Sequence, residues 1–219
     1  MSEITFRSDV SVELIDSMGS EERIVQAARA STKGAEAKEA VANGLVRTLV
    51  EEGHTVPLEH CVFTFKIEAP LFVVNQMVKH RISSISAHSA RYSEMRPQFY
   101  VPADARPCAQ TGKPMEYNYF HSERTTEEAQ TQLVEVANYA WDSYTYMLGE
   151  GVAKEVARSV LPVSMYTTIF MTVNLNSLLN IIKLRTDRYG SHPQEEIRWV
   201  GEAMRDVVVE KFPTVGAML

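Results

Sequence analysis

The 219-residue chain reads as a mixed α/β (α+β) protein forming a single domain, 1–219. Three observations predict that class. Two runs rich in β-branched and aromatic residues, CVFTFKIE at 61–68 and VSMYTTIFMTV at 163–173, have strand character. Around them stand stretches with helical apolar spacing and helix-end signals. No internal repeat or low-complexity tract divides the chain.

The elements follow in order. Residues 10–18 alternate apolar and polar and predict a strand. Ser20 caps a helix through about Ala30, with Glu21 and Glu22 in its first turn. A second helix, about Ala35 to Glu52, puts Ala42, Leu45, Val46 and Leu49 on one stripe, and Gly53 ends it. Residues 54–60 form a polar elbow around Pro57. In the strand 61–68, Cys61, Phe63, Phe65 and Ile67 share one face, and Val62, Thr64, Lys66 and Glu68 the other. Pro70 opens the next helix, where its missing N–H is harmless. That helix aligns Phe72, Gln76, Lys79 and His80 on one face, either toward solvent or as a site wall. Residues 103–124 show no period and read as a surface loop. Thr125 or Thr126 caps a long helix to about Leu148, and a short helix from Val152 to Val160 stops before Pro162. After the second core strand, Asn174 to about Thr186 is helical, and His192-Pro193 opens a last helix to about Phe212.

Composition excludes several function classes. The net charge is -6 and no basic stripe appears, which disfavours a nucleic-acid partner. No apolar run approaches the roughly 18 residues of a membrane span, and MSEITFRSDV lacks the basic flank and apolar core of a signal peptide. Cys61 and Cys108 are the two cysteines, a usage that suits the reducing cytoplasm. No metal-ligand spacing occurs, since His54 and His60 stand six apart.

Against that acidic background, residues 76–100 carry Lys79, Arg81, Arg91 and Arg96, two histidines and one acid, Glu94. Ser83, Ser84, Ser86, Ser89 and Ser93 lie between the charges. The mixture suits phosphate, which accepts from hydroxyls, backbone N–H groups and guanidinium forks. Cations that complement a helix C-terminus are the simpler account of Lys79-His80-Arg81 taken alone. Further along, Arg185 ends the apolar stripe Asn174, Leu178, Ile181 and must meet an anion, a polar acceptor or an internal acid. Asn174, Asn176 and Asn180 crowd one helix although asparagine is a poor helix former. Asn174 alone reads as an N-cap, and the three together suggest amides reading a ligand. Glu155 and Arg158, three apart, form a surface pair on spacing alone.

These residues fall into an ordered pattern. Lys79-His80-Arg81, seven residues and Ser89 resemble the signature of the flavin-dependent thymidylate synthases, Arg-His-Arg, seven of any residue, then Ser. Further blocks resemble that family in the same order: His54-x-x-Pro57-x-Glu59-His60 with FTFKI, APxFVxxQ ending at Gln76, and Ser89-x-Arg91-Tyr92-Ser93. They continue with Phe99-Tyr100-Val101-Pro102, Glu155-x-x-Arg158 with Leu161-Pro162, Asn174 through Asn180, and Leu184-Arg185.

The resemblance implies a central sheet flanked by long helices and conversion of dUMP to dTMP. Methylenetetrahydrofolate is then the carbon donor, FAD the hydride carrier and NADPH its reductant, in a cytoplasmic homotetramer with shared sites. It assigns Gln76, Lys79, Ala87, His88, Ser89, Ala90, Arg91, Arg158 and Arg185 to dUMP. It assigns His54, Lys79, His80, Arg81, Asn174, Asn176 and Asn180 to FAD, and places Arg185 at the uracil ring as the catalytic residue. A cation beside N3 favours the deprotonated ring and enriches C5 without a covalent enzyme adduct. Neither Cys61 nor Cys108 stands in a motif for the cysteine nucleophile that the other thymidylate synthase chemistry uses. Three positions depart from the family pattern: Lys79 replaces an arginine and lacks its planar fork, and Ala87 and Val56 stand where Glu and a hydroxyl residue are common. A non-catalytic nucleotide- or flavin-binding oligomer is the competing expectation.

Overall fold

The computed structural model describes residues 3–30, 39–114 and 116–219, with the side chains of 39–42 and 189 excepted. In chain order the elements are β1 (Thr5–Arg7), β2 (Ser11–Met18), α1 (Glu21–Arg29), α2 (Glu39–Glu51), β3 (Val62–Pro70), α3 (Leu71–Met77), β4 (Ser83–Ala87) and β5 (Gln98–Tyr100). They continue with β6 (Ala109–Lys113), β7 (Glu116–Phe120), α4 (Glu123–Gly149), α5 (Lys154–Ala157), β8 (Tyr166–Asn174), α6 (Leu175–Arg185), α7 (Glu195–Lys211) and α8 (Pro213–Gly216). Short 3-10 turns occupy Val56–His60, Arg158–Val160 and Asp187–Tyr189. The mixed α/β class stands. Among the described residues no helix is long and apolar enough to cross a membrane.

The chain folds as two compact units. One comprises residues 11–67, 76–86 and 169–219. Its sheet has the strand order β2-β3-β8-β4. Alternation dictates its buried face: Cys61, Phe63, Phe65 and Ile67 are fully buried, as are Ile169 and Met171. Phe63 stacks on Phe65 at 6.1 Å and tilts against Phe212 at 5.5 Å. On the opposite face Thr64 and Thr172 pair their hydroxyls at 3.0 Å, and Lys66 reaches Glu13 at 3.2 Å. Ser20 caps α1 through the Arg23 N–H, and Gly53, at φ +72°, follows α2. Positions 35–38 and the side chain of Ala42 lie outside the described residues.

The other unit comprises residues 1–10, 68–75 and 87–168. There β1 pairs in parallel with β5, Thr5 opposite Gln98 and Arg7 opposite Tyr100. Helix α4 buries Ala137, Trp141 and Tyr144 against Phe99, Met95, Met165 and Ala157, and Trp141 meets Phe99 edge-on at 6.3 Å. The Met95 N–H donates to the Tyr144 hydroxyl at 3.2 Å, satisfying both inside the core.

Several expectations need correction. Pro70 ends β3, and the helix it was expected to open is only Leu71–Met77. Lys79 and His80 therefore lie beyond α3, in a tight turn closed by Lys79 N–H to Gln76 O and His80 N–H to Met77 O. Ser83 Oγ donates to His80 O at 2.5 Å, and the β-branched, hydroxyl-rich run that follows pairs as β4 instead of prolonging the helix. Strands β6 and β7, in a stretch read as loop, pair as an exposed antiparallel ladder in register Gln110–Tyr119 and Gly112–Tyr117, with Gly112 at φ +102°. Ser122, not Thr125 or Thr126, holds the N-cap position of α4, and Thr126 is buried. The helix expected to open at His192-Pro193 is α7, which begins at Glu195, and the short α8 follows it.

Candidate active site

Helix α6 builds the centre of the first cluster. Asn174 Oδ1 accepts from the Ser177 N–H at 2.8 Å, so Asn174 is the N-cap its position suggested. Leu175, Leu178, Ile181 and Ile182 are buried, and this stripe carries Arg185 at the far end. Among the described residues the Arg185 guanidinium meets no carboxylate. Its Nε donates to His80 Nε2 at 3.0 Å, Nη1 to Gln76 Oε1 at 3.2 Å, and Nη2 to the Gln76 carbonyl at 3.4 Å. An internal ion pair with an acid is thus not its partner, and its positive charge stays unneutralised. Burial holds its pKa below the ordinary value. A guanidinium has five N–H donors, so one on Nη1 and one on Nη2 remain unused.

His80 takes its role from this contact. Accepting at Nε2 requires that nitrogen to be unprotonated, which leaves the ring proton on Nδ1 as a donor. Burial first, and the Arg185 charge second, push its pKa down to about 4. The imidazole is therefore neutral at pH 7. Lys79 and Arg81, on either side, are exposed cations.

Two residues missed in the sequence complete this cluster. Gln194 Oε1 accepts from Gln76 Nε2 at 2.7 Å. Gly201 on α7 lies so close to the end of α6 that a Cβ there would sit 2.7 Å from Arg185 O and 3.1 Å from Arg185 Cβ. A glutamine before a helix and a glycine within one leave no periodic signal. Of the remaining flavin candidates in this unit, Asn176 donates to Glu59 at 3.1 Å. Asn180 stands one turn further on and exposed, and His54 is exposed just after Gly53.

The second cluster lies in the other unit, on the turn after β4. Ala87 ends that strand, and the His88 N–H donates to Thr168 O at 2.9 Å. The Ser89 carbonyl accepts from the N–H groups of Tyr92 and Ser93, winding the chain into one turn. Ser89 Oγ accepts from the Arg91 N–H at 3.4 Å. Ala90 is buried in the core cluster with Met95 and Phe99. His88 Nε2 and Ser93 Oγ are 2.7 Å apart. Arg91 lies over the Tyr92 ring at 5.5 Å. Its Nε reaches Glu155 at 3.4 Å, with both side chains more than half exposed. Glu155 thus pairs with Arg91 and not with Arg158, whose side chain is exposed on the 3-10 turn after α5. Exposed pairs of this kind are worth about 0–1 kcal/mol, so a doubly charged anion competes readily for Arg91.

Cys61 is not poised as a nucleophile. Both thiols are free. Cys61 is fully buried, donates to Ser20 O at 3.6 Å, and is pushed up to about 11 by burial. Among the described residues no group of three or more His, Cys, Asp or Glu could hold a metal ion.

A charged guanidinium with spare donors beside a neutral imidazole, and a separate hydroxyl–guanidinium turn, are thus the two candidate clusters that this mixed α/β fold carries. The model of the thymidylate synthase complementing protein family matches residues 13–214, and the chain belongs to that family. It is 37% identical over 212 residues to a flavin-dependent thymidylate synthase of Streptomyces avermitilis, covering 91% of this chain and 86% of the relative. It is 38% identical over 202 residues to that of Thermotoga neapolitana, covering 92% and 87%. Two crystal structures of the UMP/dUMP methylase PolB from Streptomyces cacaoi superpose on it at 37% identity. The form bound with 5-Br UMP gives a TM-score of 0.91 over 98% of this chain and 95% of that one. The form bound with 5-Br dUMP gives 0.92 over 98% and 96%.

Proposed function

We propose that this chain is a flavin-dependent thymidylate synthase, the reductive methylation of dUMP to dTMP being its reaction. The observation that carries the reading is the setting of Arg185: partly buried, in contact with Gln76 and His80, and, among the described residues, paired with no carboxylate. Its two unused N–H groups suit uracil N3 and a ring carbonyl oxygen. A fixed charge there stabilises the N3 anion, and the electron density passes to C5. The buried, protonated Cys61 thiol supports the non-covalent route. Gln76 and Lys79 bind the nucleotide beside Arg185. Independently, the turn bearing Ala87, His88, Ser89, Ala90 and Arg91, with Arg158, offers a phosphate group hydroxyl, backbone N–H and guanidinium donors.

The donor set of the first cluster fits FAD. Neutral His80 offers Nδ1–H, Lys79 and Arg81 offer charge to a diphosphate, and Asn174, Asn176 and Asn180 offer amides along α6, with His54 near the ring. When bound, FAD supplies the hydride, NADPH its electrons, and methylenetetrahydrofolate the carbon. Homotetrameric assembly with shared sites, in the cytoplasm and without a nucleic-acid or membrane partner, belongs to the same reading.

The test is tritium release from C5-labelled dUMP with FAD, NADPH and methylenetetrahydrofolate, omitting one at a time. UMP is run in parallel, because the PolB structures hold both 5-bromo nucleotides. Release that needs every component supports the proposal. A colourless protein that takes up no FAD and releases no tritium restores the non-catalytic oligomer, which family membership and the named relatives disfavour.

A further inference from the structure

The first residue before α7 is placed oddly. Gln194 holds the N-cap position of a 17-residue helix, yet its side chain makes no capping bond. Ser, Thr, Asp and Asn cap well there and glutamine does not. The side chain turns instead to Gln76, accepting from Nε2 at 2.7 Å. Gln76 in turn presents Oε1 to Arg185 Nη1.

The polarity of this chain of bonds is set by chemistry. A guanidinium only donates, so the Gln76 atom facing Arg185 must be its oxygen. The Gln76 amide nitrogen must then face Gln194, and Gln194 must answer with its oxygen. Were the Gln76 amide to rotate by half a turn, two donors would oppose each other at Arg185 and two acceptors at Gln194. Each bond thus blocks the flip that would break the other.

We propose that Gln194 is a positioning residue for the nucleotide site, locking the Gln76 amide so that Arg185 is held with its two spare donors aimed at the pyrimidine ring. Gln194 touches neither the substrate nor the reacting atoms; it acts through Gln76. The inference rests on the reading of Arg185 as the uracil contact.

The discriminating variants are Gln194→Met, which keeps length and loses the acceptor, and Gln194→Glu, which keeps an acceptor at the same reach. Both sit at an exposed position outside the core, so folding survives. Losing one neutral hydrogen bond corresponds to about a fivefold change. In the intact FAD-loaded enzyme, Gln194→Met should raise the KM for dUMP about fivefold with flavin content and Tm unchanged. Gln194→Glu should recover most of that loss. With Gln76→Leu already present, Gln194→Met should add almost nothing, because the residue it acts through is gone. Equal effects of Met and Glu, or full additivity with Gln76→Leu, would overturn the proposal. A wild-type enzyme that binds no dUMP in the same assay would instead bring down the reading beneath it.

Discussion

A single methyl group at Gly201 tests whether the end of α6 is held by direct backbone packing. Gly201 lies inside α7, where Gly→Ala in an exposed helix ordinarily stabilises by about 1 kcal/mol. Here the added Cβ would meet the Arg185 carbonyl oxygen at 2.7 Å and its carbon at 3.0 Å. Backbone cannot rotate away, so the contact must open by about 0.7 Å to reach 3.4 Å, the near edge of ordinary contact. Forced packing of this kind costs about 1–3 kcal/mol, which leaves a net loss of about 0–2 kcal/mol once the helix preference is subtracted. Gly44 is the internal control: it lies in α2 and a Cβ there meets nothing within 4 Å. By thermal unfolding, Gly44→Ala should raise Tm by about 2–4 °C, and Gly201→Ala should fail to raise it or lower it. The same shift exceeds the margin in the Arg185 bonds, two of which already measure 3.2 and 3.4 Å. Gly201→Ala should therefore also weaken dUMP binding, while Gly44→Ala leaves it alone. Equal stabilisation by the two substitutions, with unchanged dUMP affinity, would refute the packing argument.

Three further predictions follow from the same cluster. Arg185→Ala should abolish dTMP formation while leaving FAD bound, read from activity and the visible spectrum; loss of flavin with intact dUMP binding would contradict the role given to it. Lys79→Arg should keep or raise activity, since it restores the planar fork at an exposed position; a marked fall would show that the lysine is tuned to this site. His80 sets a pH window: its folded pKa, about 4, lies below its ordinary 6.5. The unfolded chain then takes up the proton first as pH falls, so stability is lost between about pH 6.5 and about 4 and levels off below. His80→Gln keeps an acceptor for Arg185 and should flatten that part of the curve; an unchanged slope would place the titration elsewhere.

What the sequence discloses depends on whether the partner of a residue is near in sequence or distant. The strand at 61–68 was legible because one sheet face is buried, and burial writes a period of two into residue type. The β6–β7 ladder was not, because both faces of β7 are exposed and no alternation is enforced. The end of α3 was misplaced for a related reason. Spacing carries Phe72, Gln76, Lys79 and His80 along one ideal helix, but the pairing of β4 with β8, about eighty residues on, draws the chain out of it.

The site shows the same division. Residue types that bind anions stand out in an acidic chain, and so Arg185, His80, Ser89 and Arg91 offered themselves as candidates, while Gln76 did so through the family resemblance. Their partners were not. Spacing offered Arg158 to Glu155, three residues away, and the fold gave it Arg91, sixty-four residues away. Arg185 was owed an anion or a polar acceptor on desolvation grounds, and sequence could not choose between them. The choice matters for chemistry. An acid at that position would cancel the charge on which the proposed role of Arg185 at uracil N3 rests, whereas an amide and a neutral imidazole fix the guanidinium and leave its charge intact. Replacing Gln76 by Glu puts that distinction to experiment: the acceptor for Arg185 is kept, Gln194 must turn its amide to donate to the new carboxylate, the charge is neutralised, and catalysis should fall further than dUMP affinity. A variant as active as the wild type would show that the unneutralised charge of Arg185 is not what activates the ring.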